Sequence, residues 1–189
     1  KSYGENGFEE DDIMLYKKPP RRAPSITPYN TPNVSENSVK ERYFAFAYRY
    51  KYLDGEYSAL SSFTNYQFVP GDFDLDLDTM ENRGMVNLFN AYNIEYNTGD
   101  KRVTDIQLCF KTTDSEIVYI IDTINKKENG IINNTKRTFS FTNNKVYAAL
   151  PSDEIGRLFD AIPLTAKAQE FIENRIVYGN ITEQYDLLH

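Results

Sequence analysis

The clearest pattern in the chain is an alternation of apolar and polar residues between about residues 42 and 142. In YFAFAYRYKY, residues 43–52, every even position is aromatic, and the odd positions after the first are small or charged. Three further alternating stretches and one short, continuous apolar run follow, at residues 92–97, 106–110, 138–142 and 117–124 respectively. A period of two is typical of β-strands that bury one face, so these stretches predict strands.

A turn signal separates the first strand from the next segment. Asp54-Gly55 stands between two stretches of strand-like sequence, which predicts a hairpin with a return strand over about residues 57–68. About six strands result, and no strands alternate with helices as they do in parallel sheets. The spacing therefore predicts an all-β protein with an antiparallel β-sandwich.

The sandwich is predicted to occupy residues 39–147, between an arm at residues 1–38 and an extension at residues 148–189. The arm begins with an acidic stretch, and a short apolar run at residues 13–16 predicts an edge strand docked on a neighbour. Residues 17–32 carry a proline at every fourth position from Pro20 onward, which predicts an extended, polyproline-like tether.

The extension is predicted to be partly helical. Ser152, followed by two acidic residues, is typical of the start of a short helix, with apolar positions at Ile155, Leu158 and Phe159. Residues 165–174 predict a second helix, and residues 176–178 predict a strand that enters a turn at Gly179-Asn180. The two helices could lead into a further domain.

Composition narrows the possible functions. The 189 residues have a net charge of −7 and a pI near 4.8, which argues against specific nucleic-acid binding and leaves only passive contact with DNA in a channel. With one Cys (Cys109) and one His (His189), the chain lacks the residues for a disulfide framework, the common nucleophile triads and the usual zinc sites. No apolar run approaches the roughly 20 residues of a membrane span. The sequence thus predicts a protein without enzymatic activity, cofactor or membrane partner.

The aromatic strand at residues 43–52 allows two interpretations. Exposed aromatics interleaved with basic residues are typical of surfaces that stack nucleic-acid bases. Here the aromatics share one face, whereas Arg49 and Lys51 lie on the other, so the aromatic face is predicted to be core. Arg49 and Lys51 are then expected on the outer face, where a partner could contact them.

Two charged stretches are candidate binding sites. Asp72, Asp74 and Asp76 have the spacing of the first three ligands of a calcium loop, but the sixth position lacks glycine and the twelfth lacks glutamate. An amphipathic strand with an acidic outer face is the simpler prediction. The basic residues of the arm predict either a solvated tether or docking on an acidic neighbouring subunit; they are Lys17, Lys18, Arg21 and Arg22.

Two segments resemble structural proteins of tailed bacteriophages that infect Bacteroidetes, including the crAss-like phages. YRYKYLDGEYSALSSF, residues 48–63, resembles a hairpin of these proteins, and DAIPLTAKAQEFIENRIVYGNITEQYD, residues 160–186, is similar to a motif of their large tail components. TGDKRVTDIQLCFKTTD also fits the strand pair of the family. The residues that match the second motif are Pro163, Ala166, Ala168, Gln169, Asn174, Arg175, Gly179, Asn180, Tyr185 and Asp186.

The resemblance implies an immunoglobulin- or fibronectin-III-like sandwich in a tail or portal-proximal assembly of several subunits. It implies a fragment of a longer chain, in keeping with a first residue that is Lys1 rather than Met. The expected partners are other tail or portal-proximal subunits in a homo-oligomeric ring, and the expected location is the virion tail, with the host cytoplasm during assembly. The interface candidates are Lys17, Lys18, Arg21, Arg22, Arg49, Lys51, Asn174, Arg175, Asn180 and Tyr185.

A non-enzymatic structural component of the virion is therefore the first hypothesis. A carbohydrate- or host-surface-binding module is the alternative, because sandwiches with exposed tyrosines often bind glycans. A hydrolase that uses two carboxylates has no motif to support it.

Overall fold

A computed structural model describes residues 17–34, 36–155, 163–172 and 175–183. The predicted edge strand at residues 13–16, the helical positions Leu158 and Phe159, and the interface candidates Asn174 and Tyr185 lie outside these ranges. The described elements are the strands β1 (Ser25–Tyr29), β2 (Phe44–Tyr52), β3 (Ala91–Asn97), β4 (Val103–Thr112), β5 (Ser115–Asn125), β6 (Lys136–Phe141), β7 (Ala148–Ala149), β8 (Pro163–Ile172) and β9 (Arg175–Glu183), and the helix α1 (Ser152–Ile155).

The strands form two antiparallel sheets that share one core, and a separate two-stranded ribbon. The three-stranded sheet has the order β1-β3-β6, the four-stranded sheet has the order β2-β4-β5-β7, and β8 pairs with β9. Phe44 and Phe46 of the four-stranded sheet contact Tyr92 and Phe141 of the three-stranded sheet edge to face. The prediction of an all-β protein is confirmed, and the two sheets pack as in a sandwich.

The even-numbered aromatics of β2 lie in the core, as their alternation predicts, but the opposite face of the strand is buried too. Arg49 is only 4% exposed, and Cys109 packs with Val118 and Leu150 in a second buried cluster. The expected exposure of Arg49 was therefore wrong. The physical reason is that residues 57–64 and α1 cover the outer face of the four-stranded sheet.

Residues 57–64 follow the edge of β2 without forming the predicted return strand. One isolated β-bridge joins Lys51 to Tyr57. After it, three hydroxyl-bearing residues, each three positions from the next, form hydrogen bonds with alternate residues of β2. Each donates its own N–H to a β2 carbonyl, and its side-chain oxygen accepts the N–H of the same β2 residue. The pairs are Ser58 with Tyr50, Ser61 with Tyr48, and Thr64 with Phe46, at 2.8–3.1 Å. The edge of β2 is thus satisfied by side chains as much as by backbone.

Part of the predicted tether forms the strand β1, and the segment of the predicted second helix forms the strand β8. Pro19, Pro20 and Pro24 are buried, and β1 pairs with β3, so residues 17–29 are part of the folded domain. Proline is tolerated in β1 because this strand lies at the edge of its sheet. Residues 163–172 pair with β9, and β9 continues through the expected turn at Gly179-Asn180. The apolar spacing of residues 165–174 also fits a helix, but pairing with a strand rich in β-branched residues favours a strand.

Glycine occupies two turns in the left-handed conformation, and the first of them is the turn predicted at Asp54-Gly55. Gly55 has φ +86° in the turn after β2, where its N–H donates to the Tyr52 carbonyl oxygen at 2.9 Å. Gly99 has φ +68° in the turn after β3, and a β-carbon there would lie 2.8 Å from Cγ2 of Val103. Both positions require glycine, because the left-handed conformation is costly for other residues.

The buried phenols predict a loss of stability at alkaline pH. Burial raises the pKa of Tyr48, Tyr50, Tyr92, Tyr96 and Tyr147 above the usual value of 10.0. Their contribution is complete well below pH 10. It begins to fall as the pH approaches 10 and falls further above it, because the unfolded chain releases protons that the folded chain keeps. The thiol of Cys109, whose pKa burial raises to about 12, acts in the same direction as the phenols. Lys126, whose pKa is lowered by burial, acts in the opposite direction, but it is one group against six. We expect the free energy of unfolding to fall by about 1–2 kcal/mol between pH 8 and pH 10 in urea titrations.

Tyr92→Phe provides the control for this titration. The Tyr92 hydroxyl is buried and has no hydrogen-bond partner in the described part of the chain, so its removal is expected to be neutral or stabilising at pH 7. The variant should also lose less stability between pH 8 and pH 10. A free energy of unfolding that is flat over this range in the wild type would contradict the assignment.

Candidate interaction surfaces

The sandwich has two ends with different surfaces. One end, where β2 begins at Phe44, carries the excursion 70–88, which we call the acidic loop. The other end, where β2 finishes at Tyr52, carries a cavity between the arm and the sheets, which we call the tyrosine cavity. The basic candidates of the arm lie at the tyrosine cavity, and the aspartate candidates lie in the acidic loop.

The acidic loop is fixed to the sandwich at its base. The N–H of Gly71 donates to the Gly84 carbonyl oxygen at 2.9 Å, and the N–H of Leu88 donates to the Val69 carbonyl oxygen at 3.0 Å. The side-chain amide of the buried Asn87 donates to two carbonyl oxygens in residues 39–42, both at 3.1 Å. The loop therefore leaves the fold from a well-defined position.

An ion pair and backbone hydrogen bonds hold the two arms of the acidic loop together. Asp76 accepts hydrogen bonds from Arg83 at 2.6 and 3.2 Å, and this guanidinium lowers the pKa of Asp76. The Asp76 N–H also donates to the Glu81 carbonyl oxygen at 2.8 Å. The sequence predicts an amphipathic strand here, but the structure has a loop that these bonds hold together. Within the described ranges, no three His, Cys, Asp or Glu side chains are grouped as ligands of a metal ion, so nothing supports calcium at Asp72, Asp74 and Asp76.

The apolar residues of the acidic loop point to solvent. Phe73, Leu77 and Met80 are 75%, 77% and 71% exposed, and Leu75, Met85 and Leu88 are also exposed. Alternation with aspartate predicts that such side chains face a core, and that expectation was wrong. The acidic loop is therefore a firmly held projection with an apolar and acidic surface. Exposed apolar residues grouped in this way are unusual on a surface that has no binding partner.

Gly84→Ala is expected to disrupt the acidic loop. A β-carbon on Gly84 would lie 1.8 Å from the Asp72 carbonyl oxygen, which is backbone and cannot rotate away. We expect faster proteolysis within residues 70–88 and a free energy of unfolding lower by about 1–2 kcal/mol. Gly71→Ala is the matched control, because its β-carbon would meet its nearest atom at 3.4 Å. Equal proteolysis of the two variants would contradict this account of the loop.

The tyrosine cavity has a volume of about 580 Å³. Four tyrosines form much of its wall, and basic residues of the arm and of β6 stand beside them. Arg21 and Arg22 are exposed. The residues that define the cavity here are Tyr48, Tyr50, Tyr52, Tyr96, Lys18, Arg21, Arg22 and Lys136.

The arm is held against β2 by polar contacts at the tyrosine cavity. Lys17 forms an ion pair with Asp54 and lowers the pKa of this carboxyl group. The Tyr52 hydroxyl donates to the Lys18 carbonyl oxygen at 2.7 Å. The four basic candidates of the arm therefore lie on the folded domain rather than on a free tether.

Arg49 and Lys51 do not form the exposed docking face that the sequence predicts. Arg49 donates from Nε to the Gln107 side-chain oxygen at 2.8 Å, forms an ion pair with Glu154 of α1, and stacks on the Tyr57 ring at 4.1 Å. Lys51 is half-buried, with its Nζ 5.5 Å from the centre of the same ring. Arg49 instead joins the extension to the sheet.

The ribbon of β8 and β9 is exposed on both faces. Arg175 and Asn180 lie in β9, and Asn180 has φ +51°. Phe171 pairs with Ile176 on one face, and Val177 and Ile181 lie on the other. Phe171 is 70% exposed, and Ile176, Val177 and Ile181 are also exposed. The main contacts of β8 within the described residues are with β9.

Comparisons with known proteins do not identify a relative. No family model, no curated protein and no solved structure matches the chain. In the part of the chain that the structure describes, no helix has the length and apolar character needed to cross a membrane.

Proposed function

We propose that this chain is a non-enzymatic structural component of a phage virion tail assembly, in which projections from a β-sandwich mediate contacts between subunits. The observation that carries the assembly role is the ribbon of β8 and β9, with apolar side chains exposed on both faces. The virion setting is supported by the sequence resemblance of residues 48–63 and 160–186 to tail proteins.

The physical argument concerns the stability of the ribbon. A two-stranded antiparallel ribbon is at best marginally stable in water, and strands gain stability when further strands or a packed face cover them. Phe171 and Ile176 would expose a large apolar area on one face if nothing covered them. A subunit contact would remove this area from water, with a favourable free energy of about 25 cal/mol per Å².

The expected partners are other tail or portal-proximal subunits, with copies of this chain in a ring. The expected location is the virion tail, and the host cytoplasm during assembly. The net charge of −7 suits a surface that faces solvent or DNA without specific nucleic-acid binding.

Phe171→Asp tests this proposal in particles and in solution. We expect the wild-type chain to be found in tails by mass spectrometry and to associate in solution, and we expect the variant to associate more weakly. Gln169→Asp is the matched control, because it changes an exposed polar residue on the same face of the same strand. A wild-type chain that is absent from particles and monomeric at all concentrations would refute the proposal.

The proposed kinship of the sandwich is with immunoglobulin or fibronectin III domains. The number of strands supports this kinship, because one sheet has three strands and the other has four when the two-residue β7 is counted. The strand order differs, however. β1 and β2 lie in opposite sheets, and so do β6 and β7, whereas the first two and the last two strands of an immunoglobulin domain each share a sheet. An experimental structure would support the kinship if its strands were joined by the Greek-key connections of these domains, with the strands in a different order along the chain.

A glycan-binding module is the second candidate function, and the tyrosine cavity favours it. A concave site lined by aromatic rings with polar groups around them is typical of small-ligand sites, and its volume lies in their range of roughly 300–1,000 Å³. Binding on a glycan array that Tyr52→Ala abolishes would support this function. No binding across a broad array would count against it.

A further inference from the structure

We propose that copies of this chain associate head to tail, with the acidic loop of one copy seated in the tyrosine cavity of the next. The inference rests on the proposed assembly function, and it names the partner and the two surfaces that meet. The evidence is the position, charge, exposure and rigidity of residues 70–88, together with the composition of the cavity.

The two surfaces lie at opposite ends of the sandwich. Strand pairing places Phe44 beside Thr112 at the end that carries the acidic loop, and Lys51 beside Asp105 at the end that carries the cavity. The other sheet has the same orientation, because the Tyr50 hydroxyl donates to the carbonyl oxygen of Asn97, the last residue of β3. Surfaces at opposite ends meet in neighbouring copies rather than within one copy, which defines a heterologous contact.

The charges of the two surfaces are complementary. The acidic loop contains five acidic residues and one basic residue, Arg83, which is paired with Asp76. Both acidic residues at the cavity are paired within the same copy: Glu95 with Lys136 at 2.7 Å, and Asp100 with Arg102 at 2.8 Å. Arg21 and Arg22 stay exposed beside the cavity. Complementary charge of this kind orients two surfaces and discriminates against wrong pairings.

The apolar parts also match. Phe73, Leu77 and Met80 are the most exposed apolar residues of the acidic loop, and all three are more than two-thirds exposed. The cavity offers the tyrosine-lined wall described above, in a volume of about 580 Å³ that admits more than one side chain. Methionine adapts to irregular apolar space and makes favourable contacts with aromatic rings, so Met80 suits this wall.

The acidic loop is already ordered before any partner binds. The backbone hydrogen bonds at its base and the pair of Asp76 with Arg83 hold the backbone from which its exposed side chains project. Binding by a preformed projection loses less conformational freedom than binding by a flexible segment. Repetition of such a contact gives a closed ring when the rotation between copies closes, and a filament when it does not.

Charge reversal with rescue tests the pairing. Arg21→Glu with Arg22→Glu, and separately Asp74→Lys with Asp78→Lys, should each weaken self-association of the full chain about tenfold or more in sedimentation experiments. A mixture of the two double variants should recover association. Lys127→Glu and Glu116→Lys are the controls, because both residues are exposed and neither belongs to the acidic loop or lines the cavity. Double variants that associate like the wild type would overturn the inference.

Thiol cross-linking tests the geometry. Burial raises the pKa of Cys109 to about 12 and the residue is fully enclosed, so the wild type should not react with a short thiol cross-linker. Met80→Cys and Arg22→Cys in separate chains should form a heterodimer when mixed, and neither should form a dimer alone. A dimer formed by one variant alone would indicate a two-fold contact and overturn the inference.

The outcomes separate this inference from the proposed function. If the chain is present in tails and associates through a contact that Phe171→Asp weakens, while the charge reversals and cross-links have no effect, only the head-to-tail contact is refuted. If the cysteine at position 22 cross-links a different virion protein instead of Met80→Cys, the cavity belongs to that partner and the inference is again refuted. Absence from particles together with a monomeric chain would refute both.

Discussion

Phe44→Ala is expected to lower the free energy of unfolding by about 3–5 kcal/mol, the range for truncation of a fully buried phenylalanine. Phe44 is fully buried between the two sheets. Its ring lies 5.3–6.2 Å from the rings of Phe46, Tyr92, Phe110 and Phe141, and so contacts both sheets. The loss combines the apolar area returned to water with a cavity that rigid strands cannot close.

Urea titration at pH 7 measures this loss, and Phe73→Ala is the matched control. Phe73 is exposed in the acidic loop, so the same substitution there should change the free energy of unfolding by less than about 0.5 kcal/mol. Similar losses for the two variants would mean that the ring of Phe44 is not in the shared core.

Arg49→Met is expected to lower the free energy of unfolding by about 2–3 kcal/mol. The substitution removes the ion pair with Glu154, the hydrogen bond to Gln107 and the stacking on Tyr57. Loss of one partner of a fully buried pair costs about 3–5 kcal/mol. The expected loss is smaller because the Glu154 side chain is 38% exposed, so water solvates part of its carboxylate, although the Oε2 that faces Arg49 is buried.

A double-mutant cycle with Glu154→Gln measures the coupling between the two side chains. The double variant should lose less than the sum of the single losses, because the second substitution removes a charge that is already unpaired. Proteolysis should also cleave after residue 150 more readily in Arg49→Met, because α1 loses its main polar link to the sheet. Additive losses with unchanged proteolysis would contradict this role of Arg49.

The strands of the sandwich were predictable where aromatic or apolar residues follow a period of two. The even positions of β2 and the apolar residues of β3 fit that pattern, and Asp54-Gly55 indicated the turn after β2. The burial of Arg49 was not predictable from period alone, because it depends on α1, which is more than 100 residues away along the chain. The strand β8 was missed because its spacing also fits a helix, and only its pairing with β9 decides between the two.

The candidate surfaces were predictable in part. The basic cluster from Lys17 to Arg22 is evident in the sequence, but its place beside the tyrosines depends on the arm folding back onto β2. The exposure of Phe73 and Leu77 was missed because alternation normally indicates a buried face. Pro70-Gly71 and Gly84 on either side of the stretch were the available signal for a loop.

The serine and threonine residues along β2 make the alignment of this segment close to all-or-none. A slip of residues 57–64 by one position in one direction would bring Tyr57, Leu60 and Phe63 to the three contact points, and none of these offers a short hydroxyl. A slip the other way would bring only one hydroxyl, that of Ser62. A one-residue slip in either direction therefore loses at least two of the three side-chain hydrogen bonds, and the full set forms only in the observed alignment.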